Sequence, residues 1–315
     1  MNETEFERER LELFKNNGFH GRSLWLEDPA LGIRTYAIVR GEGPRPTVLV
    51  HGGIADASVW AALARHLAGP VVIVDRPGHG LTTGVDYDRV DYRGHAVAWL
   101  KGVVDAIGAT QVDLVGNSMG GYFSTVFARA YPERVRRLVL AGAPAGADRP
   151  LPLFLRLWGR PITGHLISAM IRRTRSPEAM RKNVFASMCT HPERISDAAL
   201  HVAKMAGTRP DWHRVIRSMA RAVTDVGGWR PSMSIREDLA RLTTPTLFAW
   251  GDHDNFAPAA SGHDLAARMP AARVDVLDDA GHLPQLDQPE ALARSITRFL
   301  GEDATRVRAV AGGRS

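Results

Sequence analysis

The chain of 315 residues predicts an α/β fold: a mostly parallel central sheet with helices on both faces, interrupted by an inserted helical unit. Three observations predict it. Short β-branched runs alternate with stretches of helical spacing, the alternation stops at Pro144 and resumes at Thr246, and glycine-rich loops follow the apolar runs. Continuous apolar strands separated by amphipathic helices are what a parallel sheet covered on both faces requires.

In order, Arg22–Asp28 and Ile33–Arg40 read as a hairpin pair, punctuated by Asp28-Pro29 and by Gly41 to Pro44. Thr47–Val50 and Val71–Asp75 read as strands, with a helix over Ser58–Ala68 between them, since Val59, Trp60, Leu63 and Leu67 share one helical face. Helix His95–Ile107, strand Val112–Val115, helix Gly120–Tyr131 and strand Val135–Leu140 follow. Between Asp148 and Arg236 no β-branched run occurs. That stretch predicts helices at Leu153–Trp158, Leu166–Thr174, Glu178–Met188, Asp197–Met205 and Trp212–Thr224. Strand Thr246–Trp250, helix Ala259–Met269, strand Arg273–Leu277 and helix Pro289–Phe299 complete the core. The expected division is therefore a core of 1–147 and 237–302, a helical insertion of 148–236 and a frayed tail of 303–315.

Apolar residues make up 44% of the chain and charged residues 23%, which excludes a disordered protein. No apolar stretch is long enough to span a membrane. The opening Met1–Glu12 is too acidic for a secretory signal. Cys189 is the single cysteine, so no internal disulfide framework exists and a cytoplasmic setting is expected. The formal charge is +6, yet the 36 arginines and 4 lysines form no basic run interleaved with aromatics, and nucleic acid is not an expected partner. The charge is uneven. Between Arg149 and Arg236, 14 arginines and two lysines stand against five acids. That excess suggests a carboxylate-bearing small-molecule substrate, set against the plainer reading of a solvated face. Trp158, Met170, Phe185 and Met188 read first as packing residues and second as pocket lining.

The chemistry resides in Val112 to Gly121, a strand running into Gly116-Asn117-Ser118-Met119-Gly120 and then a helix. This is the context of a nucleophile elbow, in which flanking glycines leave room for a strained serine at a helix N-terminus. A dinucleotide-binding reading fails because glycine would be needed at Ser118. A serine hydroxyl needs a base, and the base an orienting acid, from loops after later strands. Asp254 and His282 are the expected pair. Asp252 competes with Asp254, and Asp148 is a distant third; Asp254, three residues past Gly251, has left the strand and can turn toward His282. His79 and His253 also lie on these loops, but nothing downstream presents either, and no second histidine at ligand spacing supports a metal beside His253. The expected oxyanion donors are the backbone N–H groups of Met119 and of Gly53, in the loop His51-Gly52-Gly53.

With His51-Gly52-Gly53, Asp75-Arg76-Pro77-Gly78-His79-Gly80, the elbow, Gly251-x-x-Asp254 and Gly281-His282, the chain resembles the α/β-hydrolase superfamily from about residue 22 to 302. The resemblance implies that the helical insertion is a cap roofing the site, and serine at the elbow separates the chain from the dehalogenase and epoxide hydrolase branches, which place aspartate there. Gly116 to Gly121 and Asp254-Asn255-Phe256-x-Pro258 are similar to the meta-cleavage-product hydrolases, which cut carbon–carbon bonds. The chain departs from them at Gly53-Ile54-Ala55-Asp56, where they continue Gly-Pro-Gly, and at Leu283, where they commonly carry tryptophan. The expected function is cofactor-free hydrolysis of a small to medium ester, lactone or thioester through an acyl-enzyme. The alternatives are carbon–carbon hydrolysis of a dienone acid and non-hydrolytic use of the site as a cyclase, acyltransferase or perhydrolase.

Overall fold

β-Branched and leucine-rich runs form one sheet of eight strands in the order β1-β2-β4-β3-β5-β6-β9-β10. The strands are β1 Arg22–Asp28, β2 Ile33–Arg40, β3 Thr47–Val50, β4 Val71–Val74, β5 Val112–Asn117, β6 Val135–Ala141, β9 Thr246–Gly251 and β10 Ala272–Leu277. The two-residue strands β7 Thr224–Asp225 and β8 Gly228–Trp229 form a separate hairpin. This computed structural model describes residues 2–302 apart from 149, 150 and 175, so the expected tail 303–315 lies outside the described residues. In the eight-stranded sheet β2 runs antiparallel to β1 and β4, and every other pairing is parallel. The central strands β3, β4, β5 and β9 are buried at every position. Alternation sends Val48, Val50, Leu114 and Leu140 into one core and Leu49, Ile73, Val115 and Val139 into the other.

Three expectations of detail change, and one helix is added. The helix expected at Ser58–Ala68 is a short 3₁₀ turn, Ala57–Trp60, followed by one α-turn, Ala61–Ala64. The Asp56 side chain caps it by accepting the Ser58 N–H at 2.8 Å. The helix expected at Glu178–Met188 breaks into Pro177–Met180 and a wide turn, Arg181–Phe185. The β7–β8 hairpin interrupts the insertion, which is otherwise helical. The charged opening folds as a helix, Glu3–Asn16, burying Phe6, Arg10, Leu13 and Phe14. No helix among the described residues is long and apolar enough to cross a membrane.

That first helix braces the loops at the carboxyl ends of β3 and β4. Arg10 is fully buried, donates from Nη1 to Asp75 Oδ2 at 2.7 Å and lies 3.8 Å from Asp56. Burial works against its charge, but Asp75 and Asp56 outweigh that and hold it protonated. Asp75 in turn accepts the N–H groups of Ala57 and Leu81, both within 2.9 Å. A Cβ at Gly80 would stand 2.1 Å from the Asp75 carboxylate, which accounts for glycine there. In the loop just after β4, Arg76 donates its N–H to His51 Nε2 at 2.9 Å and its guanidinium to the Gly52 carbonyl at 2.9 Å. His79 closes the brace with Nε2 2.7 Å from the Gly53 carbonyl. Burial, then the Arg76 charge, push His79 down to about 3 and hold His51 well below the ordinary histidine range.

Two outcomes follow from this brace. Arg10→Met strands the buried carboxylates and costs about 3–5 kcal/mol, read as a lower urea midpoint; a loss under about 1 kcal/mol would show the ion pair to be dispensable. His51 and His79 are neutral when folded and regain a pKa of about 6.5 when unfolded, so unfolding takes up protons below that pH. Stability therefore falls between pH 7 and pH 5, each ring contributing up to about 1.4 kcal/mol per pH unit. Unfolding curves of the native chain and His79→Asn at both pH values check this. The substitution should remove part of the pH dependence, and an unchanged slope counts against the assignment.

Candidate active site

β5 delivers Ser118 to the carboxyl edge of the sheet with φ of 51°, a left-handed backbone that a serine rarely adopts. Two glycines make the turn possible. A Cβ at Gly116 would stand 2.5 Å from the Gly120 carbonyl oxygen, and one at Gly120 would stand 2.0 Å from the carbonyl oxygen of Val50 on β3. The Ser118 carbonyl accepts the N–H groups of Tyr122 and Ala145, both at 3.0 Å, pinning the serine between the helix Met119–Ala130 and the loop after β6.

The loops after β9 and β10 bring Asp254 and His282 together. His282 Nδ1 lies 3.0 and 3.1 Å from the two Asp254 oxygens. Each of these oxygens also accepts a backbone N–H, Oδ1 from Phe256 at 2.9 Å and Oδ2 from Ala143 at 2.8 Å. A buried carboxylate so satisfied is held in one orientation. Asp252 is engaged elsewhere, accepting from Ala280 N–H and His253 Nδ1. Asp148 pairs with Arg236 at 3.1 Å. His282 Nε2 is buried without a hydrogen-bond partner, and it shares one cavity with Ser118. The serine–imidazole hydrogen bond is thus open in this conformation, as is common before substrate binds.

Gly53 and Met119 also line that cavity, and they are neighbours: a Cβ on Gly53 would meet Met119 Cγ at 3.1 Å. His79 is buried against Gly53, and His253 is exposed beside Asp252. Among the described residues no three His, Cys, Asp or Glu side chains are grouped to hold a metal.

Three positioning groups escaped the sequence reading. Phe256 stacks on the His282 ring, centroids 3.6 Å apart and planes within 8°. It stands two residues after the acid, so the motif Asp254-Asn255-Phe256 carried the signal. Asn117 donates from Nδ2 to the Ala141 carbonyl at 2.7 Å and the His282 carbonyl at 3.0 Å, tying the Ser118 turn to the loop bearing His282. No sequence signal marks it, since its partner is 165 residues away. Asp287 accepts the N–H groups of Gly281, Thr190 and His191 within 3.1 Å, and so clasps the helical insertion to the loop bearing His282.

The cavity above these groups is apolar. Trp158, Phe185 and Met188 line it, with Trp212, Ile216, Met219 and Trp229, whereas Met170 is exposed. Among the described residues, none of the insertion's arginines or lysines lines it. The arginine excess lies outside the chamber rather than within it.

The chain is similar to known proteins. Residues 47–295 match the model of the Alpha/beta hydrolase family. The chain is 30% identical over 296 residues to a 2-hydroxy-6-oxononadienedioate/2-hydroxy-6-oxononatrienedioate hydrolase of Cupriavidus pinatubonensis, covering 89% of this chain and 95% of that protein. Among solved structures it is similar to the meta-cleavage product hydrolase of Pseudomonas fluorescens IP01, with a TM-score of 0.70, 25% identity, and coverage of 89% and 97%. The thermophilic esterase of Thermogutta terrifontis shares the fold, with a TM-score of 0.67 and 24% identity, covering 91% of this chain and 99% of that one. The eight-stranded sheet, the strained serine turn and a family match reaching from β3 into the last helix converge on one conclusion: this chain is a hydrolase of the α/β-hydrolase family.

Proposed function

We propose that the chain is a serine hydrolase that cleaves a small to medium ester, lactone or thioester with an apolar acyl part, using Ser118, His282 and Asp254. One observation carries the reading. The imidazole of His282 is fixed on Nδ1 by Asp254 and free on Nε2, in the same cavity as the hydroxyl of Ser118. Substrate enters beneath residues 148–236, which act as a cap. Ser118 Oγ attacks the carbonyl carbon and its proton passes to His282 Nε2. The N–H groups of Gly53 and Met119 hold the oxyanion, each contributing about 3 kcal/mol. Collapse expels the alcohol or thiol, which takes the proton from His282. Water, deprotonated by the same imidazole, then attacks the acyl-enzyme, and the second collapse returns the proton to Ser118. Asp254 remains ionised and steadies the imidazolium throughout. No step calls for a cofactor.

Carbon–carbon hydrolysis by the same residues is the second reading, favoured by the 30% identity to the dienedioate hydrolase. A dienedioate brings two carboxylates. The apolar lining offers them no arginine or lysine among the described residues, and burying an unpaired charge costs several kcal/mol. That balance ranks a neutral ester first and turns the expectation of an anionic substrate toward an uncharged one.

Two experiments test the reading. A fluorophosphonate probe should label the native chain and not Ser118→Ala, and Asp254→Asn should lower kcat about 10⁴-fold by presenting the wrong imidazole tautomer. Labelling that survives Ser118→Ala moves the nucleophile elsewhere. On p-nitrophenyl esters, kcat/KM should rise from acetate to hexanoate, by up to about fourfold per buried methylene. A dienone diacid turned over faster than every ester would install the second reading instead.

A further inference from the structure

We propose that the outer face of the helical insertion docks the protein on an anionic lipid surface. Eight large apolar side chains are exposed among the described residues, and six of them, Leu153, Leu157, Ile162, Leu166, Met170 and Val226, belong to this one part of the chain. Ile162, Leu166 and Met170 follow one another at four-residue steps along the helix Pro161–Arg173, so they form a single stripe, exposed by 77%, 64% and 50%. Val226, at the tip of the β7–β8 hairpin and 79% exposed, adjoins the helix Leu153–Trp158, because Arg156 donates to its carbonyl at 3.1 Å. Single exposed leucines need no explanation, but a cluster of this kind marks an interaction surface.

Charge selects the occupant. From Leu151 to Ser176 the sequence contains no aspartate or glutamate, and it contains five arginines. Arg160, Arg172 and Arg173 are exposed, and no carboxylate pairs with them among the described residues. An aliphatic stripe flanked by unpaired arginines is the chemistry of helices that lie in the headgroup region of anionic bilayers. A symmetric dimer through this face would set the same arginines against their own copies, which disfavours a second chain as the occupant. The docked face is the outer side of the cavity roof: Leu153 and Leu157 point outward from the helix that presents Leu155 and Trp158 to the cavity. Lipid docking would put the chamber within reach of esters dissolved in the bilayer. The binding itself stands without the catalytic reading; only that delivery rests on it.

The test is co-sedimentation of the full chain with sucrose-loaded vesicles of phosphatidylcholine, with and without phosphatidylglycerol. Partitioning should be at least about tenfold stronger with phosphatidylglycerol and should weaken in high salt. Ile162→Ser combined with Leu166→Ser, and separately Arg172→Gln combined with Arg173→Gln, should each reduce binding severalfold. Hydrolysis of soluble p-nitrophenyl butyrate should stay unchanged, since none of the four residues lines the cavity. The proposal is overturned if the native chain ignores phosphatidylglycerol vesicles or if the serine pair binds them as the native chain does. A dimer in light scattering that the serine pair dissolves would overturn it too, by assigning the face to a second copy. Vesicle binding by a chain that hydrolyses no ester would uphold the docking and defeat the catalytic reading.

Discussion

The close approach of three backbones around Ser118 is the constraint from which the rest of the site follows. β5 must hand the chain to a helix in a turn so tight that the serine takes a left-handed conformation, with Gly116 against Gly120 and Gly120 against Val50. Such strain persists only where the surroundings over-determine it. Here β3 and β6 flank β5 on both sides, and the loop after β6 is hydrogen-bonded to the serine's own carbonyl. The turn is therefore held in place from both sides, with Ser118 and His282 lining one cavity.

Around this point the insertion's cations are kept out of the chamber. Beneath the loops Arg10 pairs with Asp75 and lies near Asp56, while Arg76 is held by His51 and the Gly52 carbonyl. Among the described residues, no arginine or lysine of the insertion lines the cavity. Its lining is mostly apolar, with Asp56, Ser58, Asn117, Ser118, Thr224 and His282 as its polar side chains, and in such surroundings oriented N–H dipoles act more strongly than they would in water. Asp287 and Asn117 keep this arrangement registered, one fastening the insertion to the loop bearing His282 and the other fastening that loop to the Ser118 turn.

Legibility in the sequence followed the range of the interactions. The strands Thr47–Val50 and Val112–Asn117 were readable because a strand buried on both faces must be a continuous apolar run. The N-terminal helix was not readable, because its buried face includes Arg10 among Phe6, Leu13 and Phe14. A charge at a core position spoils the pattern, and only Asp75, 65 residues away, explains it. The helix expected at Glu178–Met188 gives way to the wide turn at Arg181–Phe185, where Arg181 donates to the Ile195 carbonyl and to Asp197 farther along the insertion.

By itself the sequence determined the α/β alternation and the glycine-flanked turn at Ser118, because each depends on local spacing and on glycine at fixed offsets. It also expected Asp254 to turn toward His282, without the geometry of their contact. Tertiary structure alone decided that Phe256 stacks on the His282 imidazole and that the arginine-rich insertion turns an apolar side to the cavity. The physical reason is common to both. Side-chain composition declares how much charge and apolar surface a segment carries, whereas the direction each side faces is set by packing against residues far away along the chain.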